Sequence, residues 1–261
     1  MPDLKLILAV ALAAAIIPFV LIWLVSLRIK DASIVDVYWG PGFIVVCAAT
    51  LLLGPMTPAA WVLFGAVAAW GARLGLHIGI RKLGEGEEDA RYQAMRRTWK
   101  GDFAWESLKW VFLLQGALQW VVALPVSIGV AVAGAPVLWL FSAGLAVFAA
   151  GLAIETIGDW QLTRFKARRT SHQEVCDIGL WSWSRHPNYF GETVLWWGLF
   201  GMSLGVGAPW WTVIGPATIT FLLLRVSGVT LLERGLKKRK PAYAEYARRT
   251  SAFIPWPPKR P

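Results

Sequence analysis

Seven apolar runs, broken only by short turns and two long charged stretches, constrain this chain more than anything else in it. Several exceed the roughly 18 apolar residues that suffice to cross a bilayer as a helix. In lipid the backbone must satisfy its own hydrogen bonds, so such runs fold as helices. The runs are about Leu4–Leu27, Ser33–Leu53, Ala59–Ile80, Ser107–Ala133, Val137–Gly158, Phe190–Leu204 and Trp210–Val229. Pro18 and Pro125 fall inside the first and fourth, and Pro18 is expected to kink its helix. The first run has no small-residue cleavage site after a short apolar region, so it reads as a retained span. A hydrophobic share of 56% with 17 tryptophans excludes an ordinary soluble domain.

Charge orients the runs. Lys and Arg occupy the loop after the first run, the polar stretches Arg81–Glu106 and Asp159–Tyr189, and the tail; the turns after the second, fourth and sixth runs have none. The positive-inside rule puts the polar stretches and the C-terminus in the cytoplasm and the N-terminus outside. The expected fold is therefore an all-α integral membrane protein. It has about seven transmembrane helices in one membrane domain, 1–261, and sits in a bacterial-type inner membrane with its site on the cytoplasmic side. The net charge of +10 comes with no nucleic-acid motif, so it points to anionic lipid or an anionic cofactor. Two cysteines without a CxxC spacing exclude a disulfide framework and a zinc site, and no metal is expected.

Ionisable groups inside spans mark sites. The second span carries Asp36, followed by Tyr38 and Trp39; the third carries Arg73 and His77, four apart on one face; the fifth ends in Glu155 and Asp159, also four apart. Simple helix–helix pairing, such as Asp36 with Arg73, is the plain alternative. Their clustering at one end favours a polar cavity open to the cytoplasm, where Trp39, Arg73 and His77 would meet a substrate. The acidic run Glu87-Glu88-Asp89 reads as a capped helix start extending through Arg97, not as a phosphate loop. Leu231–Tyr246 reads as a basic interfacial helix.

The densest chemistry lies in Arg185-His186-Pro187-Asn188-Tyr189-Phe190-Gly191-Glu192. Pro187 holds His186 out of the α region, and Asn188 is expected to cap the helix that follows, with Glu192 one turn on. An arginine, a histidine and a helix N-terminus make an anion site.

These residues resemble the steroid 5α-reductase family, in its bacterial multi-span branch. The likeness is strongest over Ile154–Pro255 and rests on Gly158-Asp159-Trp160-Gln161, on Gly179-Leu180-Trp181 followed by the Arg185–Glu192 motif, and on Tyr243-Ala244-Glu245-Tyr246 with Phe253-Ile254-Pro255. Val35–Gly40 and Glu88–Tyr92 are similar at the front. The superfamily is shared with isoprenylcysteine-type methyltransferases; Asn188 and Asp159 tip the balance toward reductase. The resemblance implies a reductase-like core over about 137–261, NADPH bound without a Rossmann fold, and reduction of a conjugated C=C bond in a steroid-like or other lipid substrate entering from the bilayer. That is the activity of a 3-oxo-5α-steroid 4-dehydrogenase-like oxidoreductase acting on CH–CH groups. It further implies Asp159 and Asn188 at the nicotinamide or ribose, and Arg164, Lys166, Arg185, His186 and Arg91 at the phosphates. Tyr189 would stand within the cofactor motif, Glu192 behind these residues, and Tyr246 would close the pocket from the tail. In place of the Gln-Glu pair of animal steroid reductases this chain has Asp36 and Tyr38. Either can donate to the substrate carbonyl, Asp36 if protonated, and Asp36 is the first choice. At 100° per residue the two point about 200° apart, so they share a site only if Pro41 and Gly42 distort the helix. The rival functions are an S-adenosylmethionine-dependent membrane methyltransferase and a non-catalytic lipid- or sterol-binding membrane protein.

Overall fold

The computed structural model describes residues 2–171, 173–226, 228, 229, 233, 236 and 242–259. Among them there is no strand, only an isolated parallel bridge between Ser184 and Ser251. The helices are α1 Leu4–Ile29, α2 Ile34–Leu51, α3 Pro58–Glu85, α4 Ala90–Thr98, α5 Phe103–Ser107, α6 Leu114–Val132, α7 Leu138–Arg168, α8 Leu180–Trp183, α9 Pro187–Gly205, α10 Ile214–Phe221 and α11 Ala242–Arg249. A π-helical stretch, Leu108–Leu113, joins α5 to α6, and a second, Leu222–Val226, follows α10. Five helical segments are long and apolar enough to cross a membrane: Leu4–Ile29, Ile34–Leu51, Pro58–Gly84, Phe103–Val132 and Leu138–Arg168. That is consistent with an integral membrane protein in contact with lipid.

Local chemistry explains the boundaries. Asp3, Thr57, Asp89 and Asp102 each cap a helix by accepting a backbone N–H two or three residues on, and Pro58 opens α3 where a missing N–H costs nothing. α1 runs through Pro18 as one helix. The expected start of α9 at Asn188 is corrected by one residue. The helix opens on Pro187, and the Phe190 N–H donates to the His186 carbonyl at 3.1 Å. Asn188 is thereby released from capping. α7 continues ten residues past the expected end of its span, so Asp159, Arg164 and Lys166 are helical and each has a definite face. Of the expected basic helix Leu231–Tyr246, only Glu233, Leu236 and residues 242–246 lie within the described residues.

The chain divides into two compact units, Met1–Phe141 with Met202–Gly215, and Ser142–Gly201 with Pro216–Pro261. In the first, α1, α2, α3 and α6 pack on one another around Phe19, Phe43, Leu63, Trp70 and Ile128, all fully buried. α2 and α3 meet at glycines: a Cβ on Gly40 would stand 2.5 Å from the Gly71 carbonyl oxygen, and one on Gly71 would stand 2.6 Å from that of Gly40. In the second unit α7 and α9 meet in the same way. A Cβ on Gly151 would lie 2.4 Å from the Leu195 nitrogen, one on Gly191 2.5 Å from the Glu155 nitrogen, and one on Gly198 2.4 Å from the Phe148 nitrogen. Small residues let helix backbones touch where lipid offers no hydrophobic drive to press them together.

Candidate functional site

α2 deals its polar residues to different neighbours. Val37, Gly40 and Pro41 meet α3 at Gly75, Gly71 and Leu74. Asp36 points to α4, where its two oxygens accept from the Tyr92 hydroxyl and an Arg91 nitrogen, each at 2.7 Å. Tyr38 points to α1, its ring edge-on to Phe19 with centroids 5.2 Å apart. The Trp39 carbonyl accepts from the Gln119 side chain of α6 at 2.9 Å. Pro41 and Gly42 lie inside an unbroken α2, so Asp36 and Tyr38 do not share a site.

That changes the order of the two candidate acids. Asp36 is held as an acceptor between a guanidinium and a phenol, the reverse of a proton donor. The Tyr38 hydroxyl is buried and has no hydrogen-bond partner among the described residues. An orphaned donor in an apolar span is costly unless a ligand completes it. Arg91 also pairs with Asp89 at 2.9 Å. Burial works against its cation, but the Asp89 and Asp36 carboxylates outweigh burial and raise its pKa. Burial first, and the facing Asp36 second, push the Tyr92 phenol well above its ordinary value. The expected phosphate contact of Arg91 therefore gives way to a structural pair. Asp36 finds its cation here rather than in Arg73. Arg73 and His77 sit half-buried on α3.

In the second unit the motif is locked to the tail. The Arg185 Nε donates to Glu233 at 2.7 Å, its Nη2 pairs with the same carboxylate at 2.7 Å, and its Nη1 donates to the Ala247 and Thr250 carbonyls at 2.9 and 2.6 Å. Its backbone N–H donates to the Ser251 carbonyl at 2.8 Å. The Tyr246 hydroxyl donates to the Trp181 carbonyl at 2.6 Å, and the Ser184 hydroxyl to that of Phe253 at 2.7 Å. Burial alone would raise the Glu233 carboxyl, but the neighbouring His186 imidazole and Arg185 guanidinium hold it down at about 2. Arg185 is thus a clasp that positions the motif, not the phosphate ligand that the sequence suggests. Tyr246 fastens the tail to α8 through its bond to the Trp181 carbonyl. His186 is buried, 3.5 Å from Glu233 and stacked parallel on Tyr189 with ring centroids 5.7 Å apart.

Beside this clasp lies a second polar pair. The Asn188 amide donates to Asp159 at 3.0 Å, which orients the side chain, since the carboxylate only accepts. The Asn188 Oδ1 is then a buried acceptor with no hydrogen-bond partner among the described residues. Gly158 makes room for it: a Cβ there would come within 3.2 Å of the Asn188 nitrogen. The Trp181 indole donates to the Gly158 carbonyl at 2.9 Å, tying α8 to the same turn of α7. Glu192 is buried one turn further along α9, and Glu155 one turn earlier on α7.

Over residues 22–250 the chain matches the family model DUF1295, described as a protein of unknown function. The chain belongs to the DUF1295 family. No curated protein and no solved structure matches it. The match covers the Asp36–Arg91–Tyr92 group and the Arg185–Glu233 pair of this DUF1295 member.

On the helical α7, Lys166 is seven residues beyond Asp159 and returns to within about 20° of it. Arg164 is turned about 140° away. There it stacks over Trp160 at 4.8 Å, apart from the face that the Asp159–Asn188 pair occupies. Two residues that matter here were passed over in the sequence. Gln119 is fully buried in α6 and holds α2, yet a neutral amide escapes a search for ionisable groups. Glu233 stands among basic residues and looks like ordinary charge balance, until the fold brings Arg185 and His186 to it.

Proposed function

We propose that this DUF1295 member is a membrane reductase of the steroid 5α-reductase type, which uses NADPH to reduce a conjugated C=C bond in a steroid-like or other lipid substrate. One observation carries the reading: the buried, unpartnered Oδ1 of Asn188 beside Asp159. A nicotinamide carboxamide offers the N–H that this acceptor needs. Lys166, on the same face of α7, fits a phosphate. NADPH, when bound, supplies the hydride. The residues of the chain align it, shield it and stabilise the enolate oxygen of the substrate. The proposed donor for that oxygen is Tyr38, whose buried hydroxyl has no hydrogen-bond partner among the described residues. The enolate α-carbon then takes its proton from water. Asp36 keeps α4 in place.

The test is equilibrium binding of NADPH to the purified chain. Asn188→Ala removes one ligand hydrogen bond and is expected to raise the dissociation constant about ten-fold. An unchanged constant rejects the assignment. Tight S-adenosylmethionine binding, with none of NADPH, moves the function to a methyltransferase.

The topology belonging to this reading is seven spans, with the N-terminus outside and the basic stretches and C-terminus in the cytoplasm. Single cysteines at Thr57, Ala135 and Ala208 should react with an impermeant maleimide in intact cells, and one at Lys100 should not. The opposite pattern reverses the orientation.

A further inference from the structure

The exposed stripe of α7 changes character turn by turn. Ile157 is 45% exposed and Trp160 54% exposed; Arg164 and Arg168 follow along the same ridge, both exposed. At 100° per residue Arg164 lies about 40° and Arg168 about 80° round from Trp160, while Asp159 is about 180° from Arg168. A groove of about 350 Å³ opens on this far face, lined by Trp160, Arg164, Phe165, Arg168, Arg169 and Ile178 among others. Its one carboxylate, Glu174, accepts the Thr170 and Ser171 N–H groups and the Thr170 hydroxyl on one oxygen, each at 2.8 Å, and its charge is offset by that of Arg169. Cations dominate what remains, with an exposed indole and Ile178, 56% exposed, beside them.

Aliphatic, then aromatic, then arginine along one exposed ridge is the order in which a bilayer passes from acyl chain to headgroup. A planar guanidinium pairs with a phosphate through two parallel hydrogen bonds. We propose that this groove binds the phosphate of an anionic glycerophospholipid. Arg164 and Arg168 hold the phosphate, and Trp160 and Ile178 lie against the first acyl carbons. The site is separate from the Asp159–Asn188 face and does not depend on the reductase reading. The Arg164 guanidinium lies over the Trp160 ring, 4.8 Å from its centroid.

The experiment uses the full chain in nanodiscs of phosphatidylglycerol and phosphatidylcholine, with retained lipid counted by native mass spectrometry after extraction. Wild type is expected to keep phosphatidylglycerol selectively. With each surface cation contributing about five-fold, Arg164→Gln with Arg168→Gln should cut that selectivity roughly 25-fold. Arg97→Gln with Lys100→Gln, basic residues elsewhere, should leave it unchanged. Should the glutamine pair fail to fold, Arg164→Lys with Arg168→Lys decides: charge survives but the planar fork is gone, and selectivity should fall about five-fold. Equal retention by wild type and the folded variant overturns the proposal. Displacement of the lipid by millimolar inorganic phosphate makes this a site for free phosphate and overturns it. Displacement by NADPH assigns the groove to the cofactor and overturns it as well.

Discussion

Gly191→Val is expected to destabilise the second unit strongly. The new Cβ would fall 2.5 Å from the Glu155 nitrogen and 2.7 Å from the Gly151 carbonyl oxygen, both backbone atoms of α7. Backbone cannot rotate aside as a side chain can, so α7 and α9 must separate. Overpacking a core costs about 1–3 kcal/mol where side chains can adjust. Here the cost should exceed about 3 kcal/mol, a large fraction of a typical folding free energy of about 5–15 kcal/mol. Separation also pulls Asn188 from Asp159, since both ride on this pair of helices. The measurement is the fraction of monodisperse protein after a heating series in detergent, and the apparent melting temperature should fall by at least about 6 °C. Gly65→Ala is the control, since nothing lies within 4 Å of its would-be Cβ. A Gly191→Val protein that melts like wild type would show that α7 and α9 are not in backbone contact.

Tyr38→Phe is expected to lower turnover of an enone substrate a hundred- to a thousand-fold without loss of stability. An oxyanion donor is typically worth about 2.7–4 kcal/mol in the transition state. The Tyr38 hydroxyl has no hydrogen-bond partner among the described residues, so its removal breaks no bond seen in the structure. Relieving a buried, unsatisfied group leaves the melting temperature equal or higher. NADPH affinity should stay at the wild-type value. Asp36→Asn is expected to do the converse. It weakens the ties to Arg91 and Tyr92, loosens α4 and lowers the melting temperature, while residual turnover per folded molecule stays near wild type. A fully active Tyr38→Phe, with a stably folded but inactive Asp36→Asn, would return the acid to Asp36.

Hydropathy and charge made the helical membrane class legible from the sequence, because the cost of an unpaired backbone group in lipid leaves few alternatives. They placed four of the five long apolar helices within a few residues, and the acidic run Glu87–Asp89 marked the start of α4, because capping is local. The motif Arg185–Glu192 was visible as chemistry for the same reason: its density of polar groups between apolar runs needs no three-dimensional information. Partners were not visible. That Asp36 meets Arg91 and Tyr92, while Tyr38, two residues on, meets Phe19, depends on which helix packs against each face of α2. Arg185 reads as a phosphate ligand until Glu233 and two carbonyls of the tail take its donors. The extension of α7 to Arg168 decided the last point. A polar stretch read as a loop has no faces, whereas a helix puts Asp159 and Lys166 on one side and Arg164 and Arg168 toward the other. Hydropathy is a property of each residue, but the neighbour that satisfies a polar side chain belongs to the packing, and only the tertiary structure decides it.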